Sequence, residues 1–288
     1  MNVHLALTKL RQSFDTEFNL EKAVSKADES NEAKASYYRN VIQMHVKNWD
    51  TNKDWYTQKF RQYEEMIKTE FSGFAVSFEM RTSCSSLLLI GQGGISVLET
   101  PLTLHKTYGL PYIPGTALKG LASRYYHRRL GSQKSEFLEW DAYYNILFGI
   151  QEKAGVISFH DAWITPETAR QAFVLDVMTP HHQSYNGIRI GELDRHQGQS
   201  RLDAPRDDDA PVPIPFLAVS GTFRFYLTCS PDTDNGPEWL RIATKILMHA
   251  LEHEGIGGKT NAGYGRLEAE KGEGDVQDGE KPEHRSDN

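Results

Sequence analysis

The chain has 288 residues, 39% of them hydrophobic, and a formal net charge of −7 at pH 7. This length suffices for one large domain or two small ones with a substantial core, and no apolar run approaches the roughly 20 residues that a membrane-spanning helix needs. The two cysteines, Cys84 and Cys229, provide neither a disulfide framework nor metal-ligand spacing. Because the amino terminus also lacks the pattern of a secretory signal, we expect a cytoplasmic protein without membrane contact.

The negative charge is unevenly distributed along the chain. Residues 268–288 carry eight acidic and three basic side chains, and residues 207–209 are three consecutive aspartates. Proteins that bind nucleic acids usually have a basic face, but a local basic groove can exist on a protein that is acidic as a whole. The composition therefore permits nucleic-acid binding, and it predicts modest affinity for free RNA unless neighbouring subunits contribute.

Residues 1–71 contain neither glycine nor proline, and their apolar residues recur at helical spacing. The pattern predicts three helices, whose apolar residues run from Leu5 to Phe18, from Tyr37 to Val46 and from Trp55 to Ile67. The aromatic residues of these helices form a stripe along the chain. Such an aromatic stripe is more typical of core packing than of base stacking, which usually takes place on open sheets or in grooves. We expect a helical extension over residues 1–71 that packs on the rest of the chain or on a neighbouring subunit.

From residue 73 onwards, strand and helix patterns alternate. Apolar patterning predicts strands at 74–82, 155–163, 172–179, 217–228 and 264–269. Helical spacing predicts helices at 114–130, 135–148 and 237–253, the first of them with Thr116 as its N-cap. The order of the main elements is β-α-β-β-β-α-β, which contains the β-α-β-β-α-β order of a ferredoxin-like fold. The sequence thus predicts an α+β domain over residues 73–271.

Two segments lack a regular pattern. Residues 179–216 are rich in Gly, Pro, His and Asp, and so long a loop inside a domain is usually functional or disordered. Residues 272–288 are polar, charged and glycine-containing, which predicts a disordered acidic tail.

A glycine-rich loop follows the last predicted helix. Its glycines allow positive φ and the close approach of another backbone, and its polar residues add one cation and several hydrogen-bonding groups. This is the chemistry of a phosphate cradle, although glycine-rich turns also simply join a helix to a strand. The loop consists of Gly255, Gly257, Gly258, Gly263 and Gly265, interspersed with Lys259, Thr260, Asn261 and Tyr264.

A nucleotide-binding P-loop does not explain this segment. Gly258-Lys259-Thr260 matches the end of that motif, but the motif needs a glycine six residues before the lysine, where this chain has His253. The motif also lies between a strand and a following helix, whereas here a helix precedes the loop and a strand follows it.

The predicted helix 114–130 has a basic outer face, formed by Lys119, Arg124, Arg128 and Arg129. Its amino terminus carries a partial positive charge that suits a phosphate. Lys119 is the best placed of the four, one turn from the helix start, while Arg128 and Arg129 are equally well explained as a solvated surface.

Three stretches carry a family resemblance. They are the Gly-x-Gly-x5-Gly-x-Gly pattern of residues 255–265, residues 108–120 with their segment Pro114-Gly115-Thr116-Ala117-Leu118-Lys119-Gly120, and Asp176–His182 together with Pro213–Leu217. In combination they resemble the RAMP superfamily of RNA-binding CRISPR proteins over roughly residues 73–271. Within that superfamily they are most similar to the RAMPs that cap the crRNA 3′ end in type III-B (Cmr) effector complexes.

The resemblance implies a ferredoxin-like (RRM-like) RAMP core, with residues 179–216 as a thumb-like insertion against the guide–target duplex or a neighbour. It implies a non-enzymatic, structural subunit in antiviral defence that holds the 3′ part of the crRNA. Its implied partners are the backbone RAMP, the small helical subunit and the other 3′-end RAMP of a Cmr complex. The implied RNA-binding residues are Gly255, Gly257, Gly258, Lys259, Thr260, Asn261, Gly263, Tyr264, Gly265, Gly115, Thr116, Lys119, Arg124, Arg81, His181 and Arg189.

No catalytic group, metal or cofactor is expected. Related backbone subunits cut target RNA with an acid in a loop such as 84–100, where this chain has only Glu99. His249 and His253 have the i, i+4 spacing of a zinc-binding pair, but Ala250 stands where the metalloprotease motif needs glutamate. The enzymatic alternative is a RAMP ribonuclease that processes crRNA by histidine acid–base chemistry, with His45, His105, His181 and His182 as candidates.

Overall fold

The computed structural model describes residues 2–8, 30–93, 98, 100–138, 141–179 and 213–269. Within these residues, helices and antiparallel strands form an α+β fold, as the sequence predicts. The α-helices are α1 Val3–Thr8, α2 Ser30–Glu70, α3 Gly115–Tyr125, α4 Ala142–Phe148 and α5 Gly236–His253. The strands are β1 Ala75–Thr82, β2 Tyr112–Ile113, β3 Gly149–Ile150, β4 Lys153–Ala154, β5 Ile157–Phe159, β6 Ala162–Ile164, β7 Phe173–Met178, β8 Ile214–Val219, β9 Thr222–Cys229 and β10 Leu267–Ala269.

The main sheet is built around β1 and β9. Its order is β10-β1-β9-β6-β2, with β5 also paired to β9, and each of these pairings is antiparallel. The β1–β9 ladder runs from Ala75 opposite Thr228 to Arg81 opposite Thr222. β7 and β8 form a separate antiparallel pair. Strands from distant parts of the sequence therefore meet at the centre of the molecule.

Helix α5 packs on one face of this sheet. Side chains alternate between the two faces along β9, so Phe223 and Phe225 share a face with Cys229, which lies against Gly236 at the start of α5. The predicted apolar face of α5 is buried, and it comprises Leu240, Ala243, Ile246, Leu247, Ala250 and Leu251. Helix α3 packs against α5 and β5. These two helices and the sheet enclose one part of the hydrophobic core, which continues to the side covered by α2.

Helix α2 covers the opposite face of the sheet at β6 and β9. Its Tyr63 ring stacks on Trp163 with 4.5 Å between the ring centroids, and its Tyr56 hydroxyl donates to the Ile164 carbonyl at 2.7 Å. The two helices predicted around Tyr37–Val46 and Trp55–Ile67 are one continuous helix of 41 residues. The aromatic stripe is core, as expected: Tyr37, Tyr38, Trp49, Tyr56 and Phe60 are all buried.

The start of α3 differs from the prediction. The helix begins at Gly115, one residue before the expected N-cap Thr116, and Pro114 occupies the N-cap position without a side-chain cap. The cap comes from a distant residue instead, because the Asp161 carboxylate accepts the Gly115 N–H at 2.8 Å. Such a long-range cap cannot be found from local sequence spacing.

Some predicted elements are divided in the structure. The predicted strand 155–163 is split into β5 and β6, and the strand predicted at 217–228 is split into β8 and β9 around Gly221, whose φ is +151°. The helix predicted at 135–148 consists of a 3-10 turn at Ser135–Phe137 and the short α4. No helix in the described part of the chain is long and apolar enough to cross a membrane.

Candidate nucleic-acid interface

The glycine-rich loop folds back on its own backbone. The Ile256 N–H donates to the Gly265 carbonyl at 2.8 Å, and a Cβ at Gly265, where φ is +80°, would overlap with the Ile256 carbonyl oxygen. A Cβ at Gly255, where φ is +76°, would lie 3.0 Å from the carbonyl group of Gly265. Glycine is therefore required at Gly265, where the chain crosses itself, and is favoured at Gly255 by its positive φ.

The loop is also fixed to residues 86–92. The Gly258 N–H donates to the Leu89 carbonyl at 2.6 Å, and the Gly265 N–H donates to the Leu87 carbonyl at 2.9 Å. A Cβ at Gly257 would overlap with the Leu89 carbonyl oxygen. Gly263 differs from the others, since a Cβ there would meet nothing within 4 Å. These contacts account for Gly257 and Gly265 within the chain itself, and they anchor the loop to residues 87–89.

Hydrogen-bonding groups remain available at the tip of the loop. Thr260–Ala262 form a single 3-10 turn, whose first two backbone N–H groups and the side chains of Thr260 and Asn261 have no hydrogen-bond partner among the described residues. Two adjacent backbone donors at the start of a turn are a favourable site for an anion.

The loop and α3 line one cleft of about 710 Å³. Its wall carries four arginines, and Glu254 is the only acid among the described residues that line it. Glu254 already faces Arg129, with 3.8 Å between its Oε1 and the arginine Nε. The cleft is therefore positively charged on a chain that is acidic as a whole. Its polar lining comprises Arg124, Arg128, Arg129 and Arg266 with His253, Glu254, Thr260 and Asn261.

The structure brings part of the predicted site to this cleft. Six predicted residues line it, namely Gly255, Gly257, Thr260, Asn261, Gly263 and Arg124. Eight others do not: Gly115, Thr116, Lys119, Arg81, Gly258, Lys259, Tyr264 and Gly265. His181 and Arg189 lie outside the described residues. The cleft also contains Arg266, which sequence analysis did not single out although it directly follows the loop.

Lys259 and Tyr264 face β7 and β8. The Lys259 ammonium lies 3.0 Å from the Met178 sulfur, and the Tyr264 hydroxyl donates to Asp176 Oδ2 at 2.6 Å. Burial, together with this hydrogen bond, raises the pKa of Tyr264 to about 12. Its ring packs against the buried cluster of Leu89, Phe216 and Ala218. Both side chains thus lie beside Met178, the last residue of β7.

The amino terminus of α3 is not open to a phosphate in the way the sequence suggested. Gly115 is buried, its N–H is bonded to Asp161, and a Cβ there would overlap with the Phe159 carbonyl oxygen. The Asp161 carboxylate takes the position that an anion would otherwise favour. Thr116 and Lys119 are exposed further along the helix. Arg81 is exposed on β1, opposite Glu268 of β10.

The candidate catalytic histidines within the described residues lie away from the cleft. His45 is only 8% exposed, and its Nε2 lies 2.9 Å from the Ala169 carbonyl oxygen. His105 stacks on Tyr108 with 4.2 Å between the ring centroids. Burial lowers the pKa of both histidines. His182 and Glu99, like His181, fall outside the described residues.

Comparison with known proteins identifies the family. The model of the RAMP superfamily matches residues 83–268. The chain is 27% identical to the CRISPR system Cmr subunit Cmr6 of Pyrococcus furiosus, over 74% of this chain and 72% of the relative. It is 24% identical to the CRISPR system CMR subunit Cmr6 of Saccharolobus solfataricus, over 87% of this chain and 77% of the relative.

A solved structure shares the fold. A chain in the cryo-EM structure of the type III-B Cmr-beta complex bound to cognate target RNA superposes with a TM-score of 0.53 and 20% identity, over 93% of this chain and 85% of that one. The match to the family model covers more than half of the sequence and includes both α3 and the glycine-rich loop. The chain belongs to the RAMP superfamily.

Proposed function

We propose that this protein is a non-catalytic, RNA-binding structural subunit of a type III-B CRISPR effector complex, and that it holds the 3′ part of the crRNA. The observation that carries the proposal is the arginine-lined cleft between α3 and the glycine-rich loop. Arginine side chains and free backbone N–H groups bind phosphate without reading sequence. The names of the relatives, both Cmr6 subunits, agree with this role.

The core of the protein is a ferredoxin-like unit. In chain order, this unit comprises β1, α3, the strand pair β5 and β6, then β9, α5 and β10. Two observations support it: the antiparallel sheet order β10-β1-β9-β6, and the two helices, of which α3 follows β1 and α5 follows β9 along the chain. Residues 1–71 are a helical extension to this unit and 73–271 are the RAMP domain, whereas the predicted acidic tail at 272–288 lies outside the described residues.

Residues 179–216 are assigned the role of a thumb towards the guide–target duplex or a neighbouring subunit, and residues 180–212 of this segment lie outside the described part of the chain. The segment connects β7 to β8, whose pairing ends at Met178 and Ile214, and Met178 lies beside Lys259. The neighbours are the backbone RAMP, the small helical subunit and the other 3′-end RAMP of the same cytoplasmic complex. This arrangement accounts for RNA binding by a chain with a net charge of −7, since neighbours supply part of the contact surface.

A structural role fits the cleft better than ribonuclease chemistry. General acid–base catalysis needs a histidine within hydrogen-bonding distance of the reacting phosphate. Of the histidines predicted for this chemistry, His45 is buried in the core and neither it nor His105 lines the cleft, whereas His253, which does line it, was not among the predicted catalytic residues. Site-specific cutting of precursor crRNA by the purified chain, abolished by one histidine substitution, would establish the ribonuclease instead.

The test compares two double variants within the complex assembled from its own subunits. Arg124→Ala with Arg128→Ala removes two charges from the cleft, and Arg61→Ala with Arg241→Ala removes two exposed charges elsewhere. We expect the cleft variant to lose bound crRNA, to leave its 3′ end open to nuclease trimming, and to lower the salt slope of binding by roughly 0.7 per lost phosphate contact. Equal retention and trimming in both variants, in normally assembled complexes, would refute the proposal.

Lys259 lies outside the cleft, beside Met178 at the start of the insertion, and we assign it a contact with the same crRNA there. Its φ of +58° is in the left-handed region, and alanine has the same Cβ there as lysine, so Lys259→Ala removes the ammonium without adding backbone strain. We expect Lys259→Ala to weaken crRNA retention and to leave the thermal midpoint of the free subunit nearly unchanged. Unaltered crRNA retention would show that Lys259 does not bind RNA, and it would leave the proposal for the cleft unchanged.

A further inference from the structure

The last turn of α5 presents three metal-ligating side chains together. His249, Glu252 and His253 each offer a ligand atom, and these atoms all lie within 4.8 Å of one another. The two imidazoles are almost parallel, with 5° between their planes and 5.9 Å between their centroids. His249 Nδ1 lies 3.8 Å from Glu252 Oε2. Sequence spacing indicated only the histidine pair, whereas the structure adds the carboxylate as a third ligand.

The three ligand atoms lie close enough together to coordinate one metal ion after small side-chain rotations. Zinc holds histidine nitrogens at about 2.0–2.1 Å and carboxylate oxygens at about 2.0–2.2 Å, so the three side chains must close by a small rotation onto an ion. They are free to do so, because both histidines are exposed and Glu252 is only partly buried. The backbone of α5 already sets the i, i+3 and i, i+4 spacing, and no rearrangement of the fold is required.

The helix end and two carboxylates favour a cation at this position, against the arginines of the cleft that His253 also lines. The cluster lies at the carboxyl end of an 18-residue helix, where the unpaired carbonyl groups carry partial negative charge. Glu252 and Glu254 both lie on this last turn. Arg129 faces Glu254, with 3.8 Å between Nε and Oε1, and Lys245 lies one turn earlier.

We propose that His249, Glu252 and His253 form a binding site for a divalent first-row transition metal, with Zn²⁺ as the ion to be tested. Two imidazoles and a carboxylate are a ligand set that zinc accepts, and with three protein ligands a fourth position stays open. His253 also lines the arginine-rich cleft, so the ion lies at its rim and its open position is accessible to water or to a phosphate oxygen.

The first test uses zinc alone with the full-length, tag-free chain, and its outcome does not depend on RNA binding. Zinc is titrated against a chromophoric chelator for the wild type, for His249→Ala with His253→Ala, and for Glu252→Gln. We expect the double histidine variant to bind one zinc ion fewer per chain. Glu252→Gln should weaken zinc binding by more than about tenfold, because even the loss of a residue that only orients a ligand costs that much.

A matched control removes an imidazole outside the cluster. His105→Gln should bind zinc as the wild type does, and zinc should raise the thermal midpoint of the wild type and of this control but not of the double variant. Because both histidines are exposed, the double variant should fold as the wild type does, and circular dichroism of the metal-free proteins verifies this. Superimposable titrations of the wild type and the double variant would overturn the proposal, as would an equal loss in His105→Gln.

Discussion

Gly265 and Gly263 show two different reasons for a glycine in one loop. Both have positive φ, +80° and +94° respectively. At Gly265 the backbone of Ile256 occupies the space that a side chain would need, whereas nothing lies within 4 Å of a Cβ at Gly263. The pair therefore separates the cost of backbone conformation from the cost of close approach.

Alanine substitutions at these two positions measure the difference. Gly263→Ala should lower the free energy of unfolding by about 1–2 kcal/mol, the usual cost of the left-handed region for alanine. Gly265→Ala adds an overlap with backbone atoms that cannot rotate away, so we expect a loss of more than about 3 kcal/mol. Chemical denaturation of the isolated subunit checks both values, and equal losses would show that the loop does not cross itself as described.

Individual residues also mark the limit of what sequence can predict about the site. The glycine spacing indicated a phosphate-binding loop, and the arginines of the predicted helix 114–130 indicated a basic helix face, but the sequence did not indicate that the two lie side by side. Which side chains face the cleft depends on tertiary contacts that spacing cannot give, such as the bond from Asp161 to Gly115 and the approach of Lys259 to Met178. Arg266 enters the cleft only because the chain reverses at Gly265.

Helix α2 is attached to the sheet by a charged contact as well as by its aromatic stripe. Arg224 of β9 donates to Glu79 Oε1 of β1 at 2.7 Å and to Glu64 Oε1 of α2 at 3.1 Å. The three side chains are largely covered, with 27%, 19% and 19% of their surface exposed for Arg224, Glu64 and Glu79. Two carboxylates in such a position need the guanidinium between them.

Removing that guanidinium should loosen α2 from the sheet. We expect Arg224→Met to lower the free energy of unfolding by about 2 kcal/mol, less than for a fully buried pair because solvent still reaches the group. Arg241→Met removes an exposed arginine paired with Glu238 and should leave the thermal midpoint unchanged. Hydrogen exchange of the α2 amides adds a local measurement. The same midpoint in both variants would show that the contact does not hold the helix.

At the element scale, the sequence predicted the type of most segments and missed several boundaries. The apolar face of α5 was correct because its periodicity is strong over 18 residues. The second and third helices predicted within residues 1–71 are one helix, α2, because the polar segment between them contains neither glycine nor proline. The strand predicted at 217–228 is divided at Ser220–Gly221, where the chain passes from β8 to β9, and a continuous apolar pattern conceals this change of sheet.

Acid should destabilise the whole molecule through its histidines. Burial lowers the pKa of His45, His105 and His160 in the folded state, whereas an unfolded chain titrates near the ordinary value of about 6.5. The stability they provide is complete above that value and is lost as the pH falls through it, because the unfolded chain then takes up protons that the folded one excludes.

Denaturation between pH 7.5 and 5.5 tests this expectation. The thermal midpoint of the wild type should fall over this range, with each unit of pKa depression costing about 1.4 kcal/mol once the pH is below the lowered value. His45→Gln can keep a hydrogen bond to the Ala169 carbonyl and carries no titrating group, so its midpoint should fall less. A parallel decline in both proteins would exclude His45 as a source of the acid sensitivity.

The pairing of β1 with β9 and β10 has a consequence during synthesis. The aromatic stripe of α2 emerges from the ribosome early, but the strands that complete the sheet beneath it are among the last residues described. Roughly 200 residues separate the end of α2 from that of β10, which at about 5–20 residues per second corresponds to about 10–40 s of translation. During the part of that interval before β6 and β9 are synthesised, the tyrosine and tryptophan rings of α2 lack their partner strands, and we expect the exposed rings to favour aggregation unless a chaperone or a neighbouring subunit covers them.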